Sequence, residues 1–486
     1  MKYPEIENFI DGKFTLSKSK KLDVICPLNG EVISNVPLST ITDLDKAVTA
    51  AKTAFPLWSG LTSKKRAEVL FSYRAILKKN LNELAEIIHY ENGKNISDAT
   101  AEVEKSIELT EFACSVPQII SGDIMKVSEG VTCRTEYTPL GVVSSITPFN
   151  FPNMVPHWTV PNAIALGNCM ILKPSEVVPI TSNRIAEMLK EAGLPDGVFN
   201  VVNGDKEIVE AICDHPDIKA ISFVGSTDVA KIVYKRSTSN LKRSLTLGSA
   251  KNHLIVLPDA NPDLSAADIT ASFTGTAGQR CMAASVLIAV GKTDHILEKI
   301  IINSRKIKPG LNLGPIISKE AREKIINYIN EAESTGATIL LDGRKAEIDS
   351  SADKAGFYLG PTILDYTNAK TPVPLEEVFG PVMEITRVDT LNEALKIQKR
   401  SHYGNAASVF TQNGGIAEEV ARKVNVGMVG INIGVPVPRE PFSFGGCNES
   451  KFGVGDITGK SSIEFWTQLK KITGKWSKQE KQDWMS

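Results

Sequence analysis

Hydrophobic residues follow a regular alternation of helical and strand-like patterns along the chain. Apolar residues recur every three or four positions over 42–56 and 62–95, which predicts two amphipathic helices. Beyond residue 168, short apolar runs alternate with helical segments, in the order MILKPSE, SNRIAEMLKEAG, FNVVNG, KEIVEAICDHP and IKAISFVG. This order of strand, helix and strand predicts parallel α/β structure to about residue 250.

A second series of the same kind follows. Strands are predicted in HLIVLP, SVLIAV, ATILL and MEITRV, and helices in HILEKIIINSRKI, SKEAREKIINYINEAESTG and LNEALKIQKRS. Near the C-terminus, EFWTQLKKIT alternates apolar and polar residues, which predicts a terminal strand before a charged tail. A single strand needs an existing sheet to pair with, so we expect it to join the sheet of a partner subunit.

The stretch from Tyr137 to Leu172 contains no charged residue and is long enough to span a bilayer. Prolines interrupt it throughout, and each removes a backbone hydrogen-bond donor, which argues against a membrane helix. We therefore expect a buried, turn-rich segment. Buried irregular backbone must place its polar groups at defined positions, so this segment is a candidate wall of an active site.

Composition narrows the classes of function. The 55 basic and 56 acidic residues give a formal net charge of −1, which disfavours a nucleic-acid partner. The 7 cysteines are scattered without a C-x-x-C pair, which disfavours a disulfide framework and a thiolate metal site. The N-terminal sequence MKYPEIENFIDGKF lacks the apolar core of a signal peptide, so we expect a cytoplasmic protein.

Two residues are candidates for catalysis. Cys281 lies among small residues in FTGTAGQRCMAAS, and the preceding Arg280 favours the thiolate, as a nucleophile requires. Asn150 lies in ITPFNFP, where a buried amide could donate a hydrogen bond to an oxyanion. Alternatively, Cys281 is a buried structural cysteine and Asn150 caps a turn.

Two strand ends are candidates for cofactor binding. The segment FVGST, residues 223–227, joins a predicted strand to a helix whose N-terminus could bind a phosphate, although it lacks a G-x-G-x-x-G motif. Lys173-Pro174-Ser175-Glu176 follows another strand, where a carboxylate could bind a ribose diol. The alternative for this second segment is a solvated loop.

Taken together, these pieces resemble the aldehyde dehydrogenase superfamily over nearly the whole chain. The matching motifs occur in the family's order: TPFNFP, ALGNCMILKPSE, GLPDGVFNVVNG, ISFVGST, GQRC, LEEVFGPV and PFSFGG. Within the superfamily, the chain most resembles the methylmalonate-semialdehyde dehydrogenases. The distinctive matches are AKNH, GQRCMA, INIGVPVP and WTQLKKITGKW.

The resemblance implies an NAD-dependent enzyme that acylates coenzyme A. Its substrates would be malonate or methylmalonate semialdehyde, and its products acetyl-CoA or propanoyl-CoA after loss of the carboxylate. Cys281 would form the thioester, while the Asn150 side chain and the Cys281 main-chain N–H stabilise the oxyanion. By family match, the NAD-binding residues are Lys173 and Glu176 at the adenosine ribose, Gly225 and Ser226 at the pyrophosphate, and Glu377 and Phe379 at the nicotinamide ribose.

One absence bears on the fate of the thioester. Relatives that hydrolyse it carry a glutamate at the start of an E-L-G-G-K-N-like motif, where this chain has Leu247. Leucine cannot accept a proton from water, whereas a thiol is already a few per cent thiolate near neutral pH. This favours coenzyme A as acceptor. Hydrolysis to a free acid stays open if another carboxylate acts as the base.

The carboxylate of a semialdehyde needs a cation nearby. Arg280 matches the arginine that the subfamily places beside its nucleophile, and Lys105 replaces a second subfamily arginine, with loss of bidentate geometry. Arg439 is a weaker candidate. Lys105 could instead be an exposed helix lysine, and an uncharged aldehyde such as propanal remains an alternative substrate.

The resemblance also implies an aldehyde dehydrogenase-like α/β architecture in three parts. These are a Rossmann-like NAD-binding domain (residues 1–118 and 142–248), an α/β catalytic domain (249–462) and a small β oligomerisation region (119–141 and 463–486). It implies homodimers or homotetramers.

Overall fold

A computed structural model describes residues 1–476 of the chain. The strands are β1 Asn8–Ile10, β2 Lys13–Thr15, β3 Lys21–Ile25, β4 Val32–Pro37, β5 Ile124–Ser128, β6 Val131–Pro139, β7 Val142–Ile146, β8 Cys169–Lys173, β9 Phe199–Val201, β10 Ile218–Val224, β11 Arg243–Leu247, β12 Asn252–Val256, β13 Ala284–Val290, β14 Thr338–Leu341, β15 Thr362–Asp365, β16 Val382–Val388, β17 Tyr403–Gly404, β18 Ala406–Phe410, β19 Met428–Ile431, β20 Cys447–Asn448, β21 Lys451–Phe452 and β22 Thr467–Lys475.

Five helices follow β4 without an intervening strand, and beyond β7 helices largely alternate with strands, as the hydrophobic pattern predicts. The helices are α1 Ile41–Gly60, α2 Ser63–Lys79, α3 Leu81–Asn92, α4 Ile96–Cys114, α5 Val116–Ile119, α6 Met154–Ala165, α7 Ile180–Glu191, α8 Lys206–Asp214, α9 Thr227–Ser239, α10 Pro262–Thr274, α11 Asp294–Arg305, α12 Lys319–Ser334, α13 Leu391–Gln398, α14 Gly414–Lys423 and α15 Gly459–Trp466. The helix predicted over 62–95 is two helices, because Asn80 ends α2 and starts α3.

The first sheet has the order β2-β1-β9-β8-β7-β10-β11-β21. Its central strands are parallel and are covered by helices that pack on one large hydrophobic core. Register pairs Ile146 with both Lys173 and Phe223, and Val224 with Leu247. The carboxyl ends of these strands therefore meet at one edge, which is where open α/β sheets bind ligands.

The second sheet has the order β14-β15-β16-β13-β12-β18-β19, and it is parallel except at β14. Cys281 lies just before β13, and β12 begins at Asn252. The α/β prediction is confirmed for both series. The three-part division of the chain remains a prediction, and β21, from within the 249–462 segment, forms the edge of the first sheet.

The terminal strand begins later in the chain than expected. Residues Glu464–Trp466 belong to α15, because Phe465 and Trp466 are buried in the first core, and the strand begins at Thr467. β22 then pairs with β6 of the same chain along its whole length, in a sheet of order β22-β6-β5, so the strand joins a sheet within its own chain, and its pairing with a partner subunit's sheet remains a prediction. Residues 477–486, in the predicted charged tail, lie outside the described residues.

The charge-free stretch is buried as predicted, but it is less turn-rich than expected. It contains α6, in which every residue after Met154 is buried, and Pro156 lies in the first turn of that helix, where a missing N–H costs little. Its longest irregular part is the loop 147–153 between β7 and α6, and short connections lie at 140–141 and 166–168. None of the helices within residues 1–476 is long and apolar enough to cross a membrane.

Candidate active site

A cavity of about 580 Å³ runs from the carboxyl edge of the first sheet towards the second sheet. The loop 147–150, the end of β8, the start of α9 and the segment around Cys281 line it. The structure thereby brings together all the predicted site residues except Arg280 and Lys105, namely Asn150, Lys173, Glu176, Gly225, Ser226, Cys281, Glu377 and Phe379.

Two amides hold the main chain of Cys281. The Asn252 Nδ2 donates to the carbonyl oxygens of Cys281 and Ala283, each at 2.8 Å. The Asn405 Nδ2 donates to the same Cys281 oxygen, also at 2.8 Å. Sequence reasoning missed both residues. Asn252 was visible only as part of the AKNH motif, and Asn405 carried no local signal.

The backbone before Cys281 follows a left-handed path. Thr276, Ala277 and Gly278 have φ values of 54°, 52° and 69°, which L side chains rarely adopt. A Cβ at Gly278 would lie 2.0 Å from the Gly380 carbonyl oxygen, so only glycine fits there. This close approach fixes residues 276–281, the nucleophile loop, against the segment that carries Glu377 and Phe379.

The Cys281 thiol is neutral in this environment. Burial, followed by the negative charge of Glu377, raises its pKa to about 12. Arg280 and the main-chain amides of Cys281 and Met282 lower the pKa, but by less. The predicted effect of Arg280 therefore has the right sign, and burial outweighs it.

Asn150 presents its amide close to the nucleophile loop. Its Nδ2 donates to the Gln279 carbonyl oxygen at 3.1 Å, two residues before Cys281. The Asn150 main chain is fixed in turn, because its carbonyl accepts from the Lys94 Nζ at 2.6 Å. The Asn92 Nδ2 also donates to the Phe149 carbonyl at 2.8 Å. The amide is thus held as an oxyanion donor must be.

A buried ion pair between Lys94 and Glu102 supports this loop. The Glu102 Oε1 accepts from the main-chain amides of Asn153 and Met154, at 2.8 and 3.0 Å, where α6 begins. The Lys94 ammonium also lies 3.8 Å from the centre of the Phe151 ring. Sequence reasoning missed the pair, because a lysine between two helices and a glutamate within a helix usually indicate solvated positions.

The far end of the cavity has the groups that an adenosine ribose and a pyrophosphate require. Lys173 and Glu176, at the end of β8, are ion-paired at 2.9 Å. Ser226 is the N-cap residue of α9, a helix of 13 residues whose N-terminus attracts anions. A Cβ at Gly225 would lie 2.5 Å from the Phe223 ring, so glycine keeps this turn tight. These residues fit NAD.

Glu377 and Phe379 line the part of the cavity nearest to Cys281. The Glu377 Oε1 accepts from the Ala250 main-chain amide at 2.9 Å, and burial raises the pKa of this carboxyl. Phe379 has a positive φ of 54°, and its ring packs edge-on against Phe149 at 5.8 Å. Both side chains line the spaces that Cys281 lines, and their role at the nicotinamide ribose remains a prediction.

Leu247 lies at the end of β11, and its side chain is buried in the first core with 5% exposure. The position at which hydrolytic relatives carry their glutamate is therefore apolar. Glu377 shares a second, small pocket with Cys281 and is the acidic residue that lines both spaces with it. Glu377 is accordingly the carboxylate that could replace the missing base.

Arg280 and Lys105 lie outside the main cavity. Arg280 lines the small pocket beside Cys281, and its Nη2 donates to the carbonyls of Ala271 and Ser272 at 2.6 and 3.0 Å. Its buried Nε has no hydrogen-bond partner among the described residues. Lys105 is ion-paired with Glu440 and Glu108 at 2.7 and 3.2 Å. The structure thus leaves Arg280 a spare donor, whereas the Lys105 charge is already compensated.

Within residues 1–476, no group of three or more acidic, histidine or cysteine side chains is arranged to hold a metal ion.

The chain was compared with known proteins. The profile of the aldehyde dehydrogenase family matches residues 14–472. Malonate-semialdehyde dehydrogenase 1 of Geobacillus thermodenitrificans is 41% identical over 480 residues, covering 97% of this chain and 99% of that one. The mitochondrial acylating methylmalonate-semialdehyde/malonate-semialdehyde dehydrogenase of Rattus norvegicus is 40% identical over 485 residues, covering 98% and 90%.

Solved structures agree with the fold. The crystal structure of methylmalonate-semialdehyde dehydrogenase from Oceanimonas doudoroffii superposes with a TM-score of 0.95 at 40% identity, covering 98% of this chain and 99% of that one. The NAD complex of a Sinorhizobium meliloti 1021 protein superposes with a TM-score of 0.95 at 38% identity, covering 99% of both. With its motifs, its paired sheets and its cysteine–asparagine site all in agreement, the chain belongs to the aldehyde dehydrogenase family.

Proposed function

We propose that the enzyme oxidises malonate or methylmalonate semialdehyde with NAD and transfers the acyl group to coenzyme A, with loss of the carboxylate. The observation that carries this proposal is a cavity in which Cys281 and Asn150 are poised and the hydrolytic base is replaced by the buried Leu247. The names and whole-length identity of the relatives support the same substrates.

The chemistry on Cys281 follows from its neighbours. The sulfur attacks the aldehyde carbonyl, and the Asn150 Nδ2 donates to the oxygen that becomes negative. A hydride then leaves the former aldehyde carbon, and the carbonyl re-forms as a thioester. Because burial raises the pKa of Cys281 to about 12, the thiol must give up its proton before or during attack, and the Glu377 carboxylate, which lines both spaces with Cys281, can accept it.

Lys173, Glu176, Gly225, Ser226, Glu377 and Phe379 would hold NAD in this cavity. When bound, NAD would supply the acceptor for the hydride. The residues of the chain orient the aldehyde between Asn150 and the cofactor and limit the access of water.

Loss of the carboxylate is consistent with the same site. In the malonyl-type thioester, the carboxylate is β to the thioester carbonyl, so CO₂ can leave while its electron pair moves onto that carbonyl oxygen. The Asn150 amide can stabilise the resulting enolate, which then takes a proton at carbon. The thiolate of coenzyme A attacks the thioester and releases Cys281, a step that needs no base at position 247.

We assign recognition of the substrate carboxylate to Arg280. Replacing Arg280 by glutamine should raise the KM for malonate semialdehyde at least about tenfold, since a charged hydrogen bond contributes about 1.5–3 kcal/mol. The KM for propanal should change less than about twofold. Initial rates of NADH formation with coenzyme A give both constants, and mass spectrometry identifies acetyl-CoA as the product.

The matched control is Arg387→Gln, because Arg387 is paired with Asp294 and Asp365 and lines neither pocket that contains Cys281. Equal effects of the Arg280 change on both aldehydes would instead support an enzyme for uncharged aldehydes.

We also propose the three-part domain division given above and a homodimer or homotetramer assembled through the β22-β6-β5 sheet. Its outer strand β5 exposes Ile124, Met125 and Val127 at 74%, 66% and 52%, which is costly for a monomer.

All 7 cysteines are unpaired, which supports a reducing, cytoplasmic location.

A further inference from the structure

Lys251 is a buried lysine of the AKNH motif, just before β12, and the chemistry described for Cys281 does not use it. Its side chain is 0% exposed and is ion-paired with Glu384 of β16, whose side chain is 1% exposed. The Tyr328 hydroxyl of α12 donates to the other oxygen of the Glu384 carboxylate. Desolvation offsets much of the attraction in a buried ion pair, so stability alone is a weak reason for this one.

The Lys251 ammonium also reaches the segment that carries Glu377. The Lys251 Nζ donates to the Glu376 carbonyl oxygen at 2.7 Å. One residue earlier, the Ala250 main-chain N–H donates to the Glu377 Oε1 at 2.9 Å. Two successive residues thus hold two successive residues, and the Glu377 side chain is fixed both at its main chain and at its carboxylate.

The next residue connects this arrangement to the nucleophile. The Asn252 Nδ2 donates to the Cys281 carbonyl oxygen at 2.8 Å. Residues 250–252 therefore contact both the Glu377 segment and the nucleophile loop. Because three successive residues make these contacts, a shift of Glu377 relative to Cys281 requires at least one of the hydrogen bonds to break.

Lys251 also acts on the charge of Glu377. Burial is the largest influence on the pKa of this carboxyl and raises it, whereas the Ala250 N–H, the Ser249 hydroxyl and the positive charge of Lys251 lower it. Lys251 therefore favours the carboxylate form, which is the form that can accept the Cys281 proton. Lys251 itself lines neither pocket that contains Cys281, so any effect on the reaction passes through its neighbours.

We propose that Lys251 is a positioning residue that holds the Glu377 carboxylate in the space it shares with Cys281. Glu384 and Tyr328 complete the arrangement by fixing the Lys251 ammonium from the side away from Glu377. This inference rests on the proposed function, in which Glu377 accepts the Cys281 proton and contacts the nicotinamide ribose.

The first test is Lys251→Met, which keeps the length of the side chain and removes the ammonium. In a stopped-flow trace with malonate semialdehyde and NAD, without coenzyme A, the rate constant of the NADH burst should fall at least about tenfold, because a small displacement of a catalytic group is costly. The burst amplitude should stay at about one NADH per active site. A merely structural defect would lower the amplitude instead, since misfolded molecules do not react.

The matched control is Lys242→Met. Lys242 is another buried lysine that donates to main-chain carbonyls, those of His215 and Ile218, and it lines neither pocket that contains Cys281. Its replacement should lower the midpoint of thermal unfolding but leave the burst rate within about twofold, because it removes buried hydrogen bonds far from Glu377.

Two double variants separate positioning from folding. Lys251→Met leaves Glu384 buried without its cation, so Lys251→Met/Glu384→Gln, which removes both charges, should unfold at a higher temperature than Lys251→Met and still show the slow burst. In a Glu377→Gln background, Lys251→Met should slow the burst by less than about a further twofold, because both changes act through the same side chain.

Calorimetric titration with NAD gives a readout that needs no turnover. The dissociation constant of NAD should rise about fivefold in Lys251→Met, because the Glu377 segment is no longer held, and should stay within about twofold in Lys242→Met.

An unchanged burst rate or an unchanged NAD dissociation constant in Lys251→Met would overturn the inference and leave the proposed function intact. A further tenfold loss in the Glu377→Gln background would do the same, since Lys251 would then act by another route. Failure of the unmodified enzyme to form NADH from malonate semialdehyde would contradict the proposed function. The NAD titration would still test the inference in that case, because it needs no aldehyde.

Discussion

Replacing Cys281 by alanine should lower kcat with malonate semialdehyde by at least about 10³-fold, because the covalent route is then closed. Cys281 is the one cysteine that lines the main cavity among residues 1–476, so no neighbouring thiol can replace it. The dissociation constant of NAD should stay within about twofold, since the cofactor residues are untouched. Initial rates of NADH formation and calorimetric titration with NAD measure the two effects.

The control is Cys447→Ala, because Cys447 is a half-buried cysteine in β20 that does not line this cavity. It should retain normal kcat. More than a tenth of the normal rate in Cys281→Ala would show that another group attacks the aldehyde.

Replacing Asn150 by alanine should lower kcat about 10²- to 10³-fold, the range for loss of one oxyanion donor. The side chain has a main-chain acceptor at Gln279 in the free enzyme, and the Lys94–Glu102 pair fixes its backbone, so the substitution removes the donor without releasing the loop. Rapid-mixing traces of the first turnover measure the acylation rate directly.

Asn150→Asp distinguishes the loss of the hydrogen-bond donor from the loss of side-chain volume, because it keeps the volume and loses the N–H donors. It should be impaired at least as strongly as the alanine variant. An aspartate variant with nearly normal acylation, at an unchanged midpoint of thermal unfolding, would exclude the oxyanion role.

Much of the fold was predictable because its signals are local. The runs that became β8, β10, β12 and β13 are buried on both faces, so continuous apolar residues indicated them directly. The helix α6 was not predicted, since prolines at 156 and 161 argue against helices unless the surrounding core supports one. The start of β22 was misplaced because tertiary burial of Phe465 and Trp466 favours a helix there.

The site residues also divide into those that a local motif indicated and those that no local pattern could indicate. The positions of Cys281, Asn150 and the cofactor residues remain assignments from motifs, and the structure brings them into one cavity. Asn252 and Asn405 act on a main-chain carbonyl far away in sequence, so no local pattern could indicate them. The charge environment was likewise hidden, because Glu440 lies 335 residues from its partner Lys105.

The central claim is that the thioester passes to coenzyme A because no base activates water. The direct measurement is a stopped-flow trace of NADH formation from methylmalonate semialdehyde and NAD, with and without coenzyme A. We expect a burst of about one NADH per active site without coenzyme A, and steady turnover only when it is added. Full steady turnover in its absence would contradict this account and would indicate a hydrolytic enzyme in which a carboxylate such as Glu377 serves as the base.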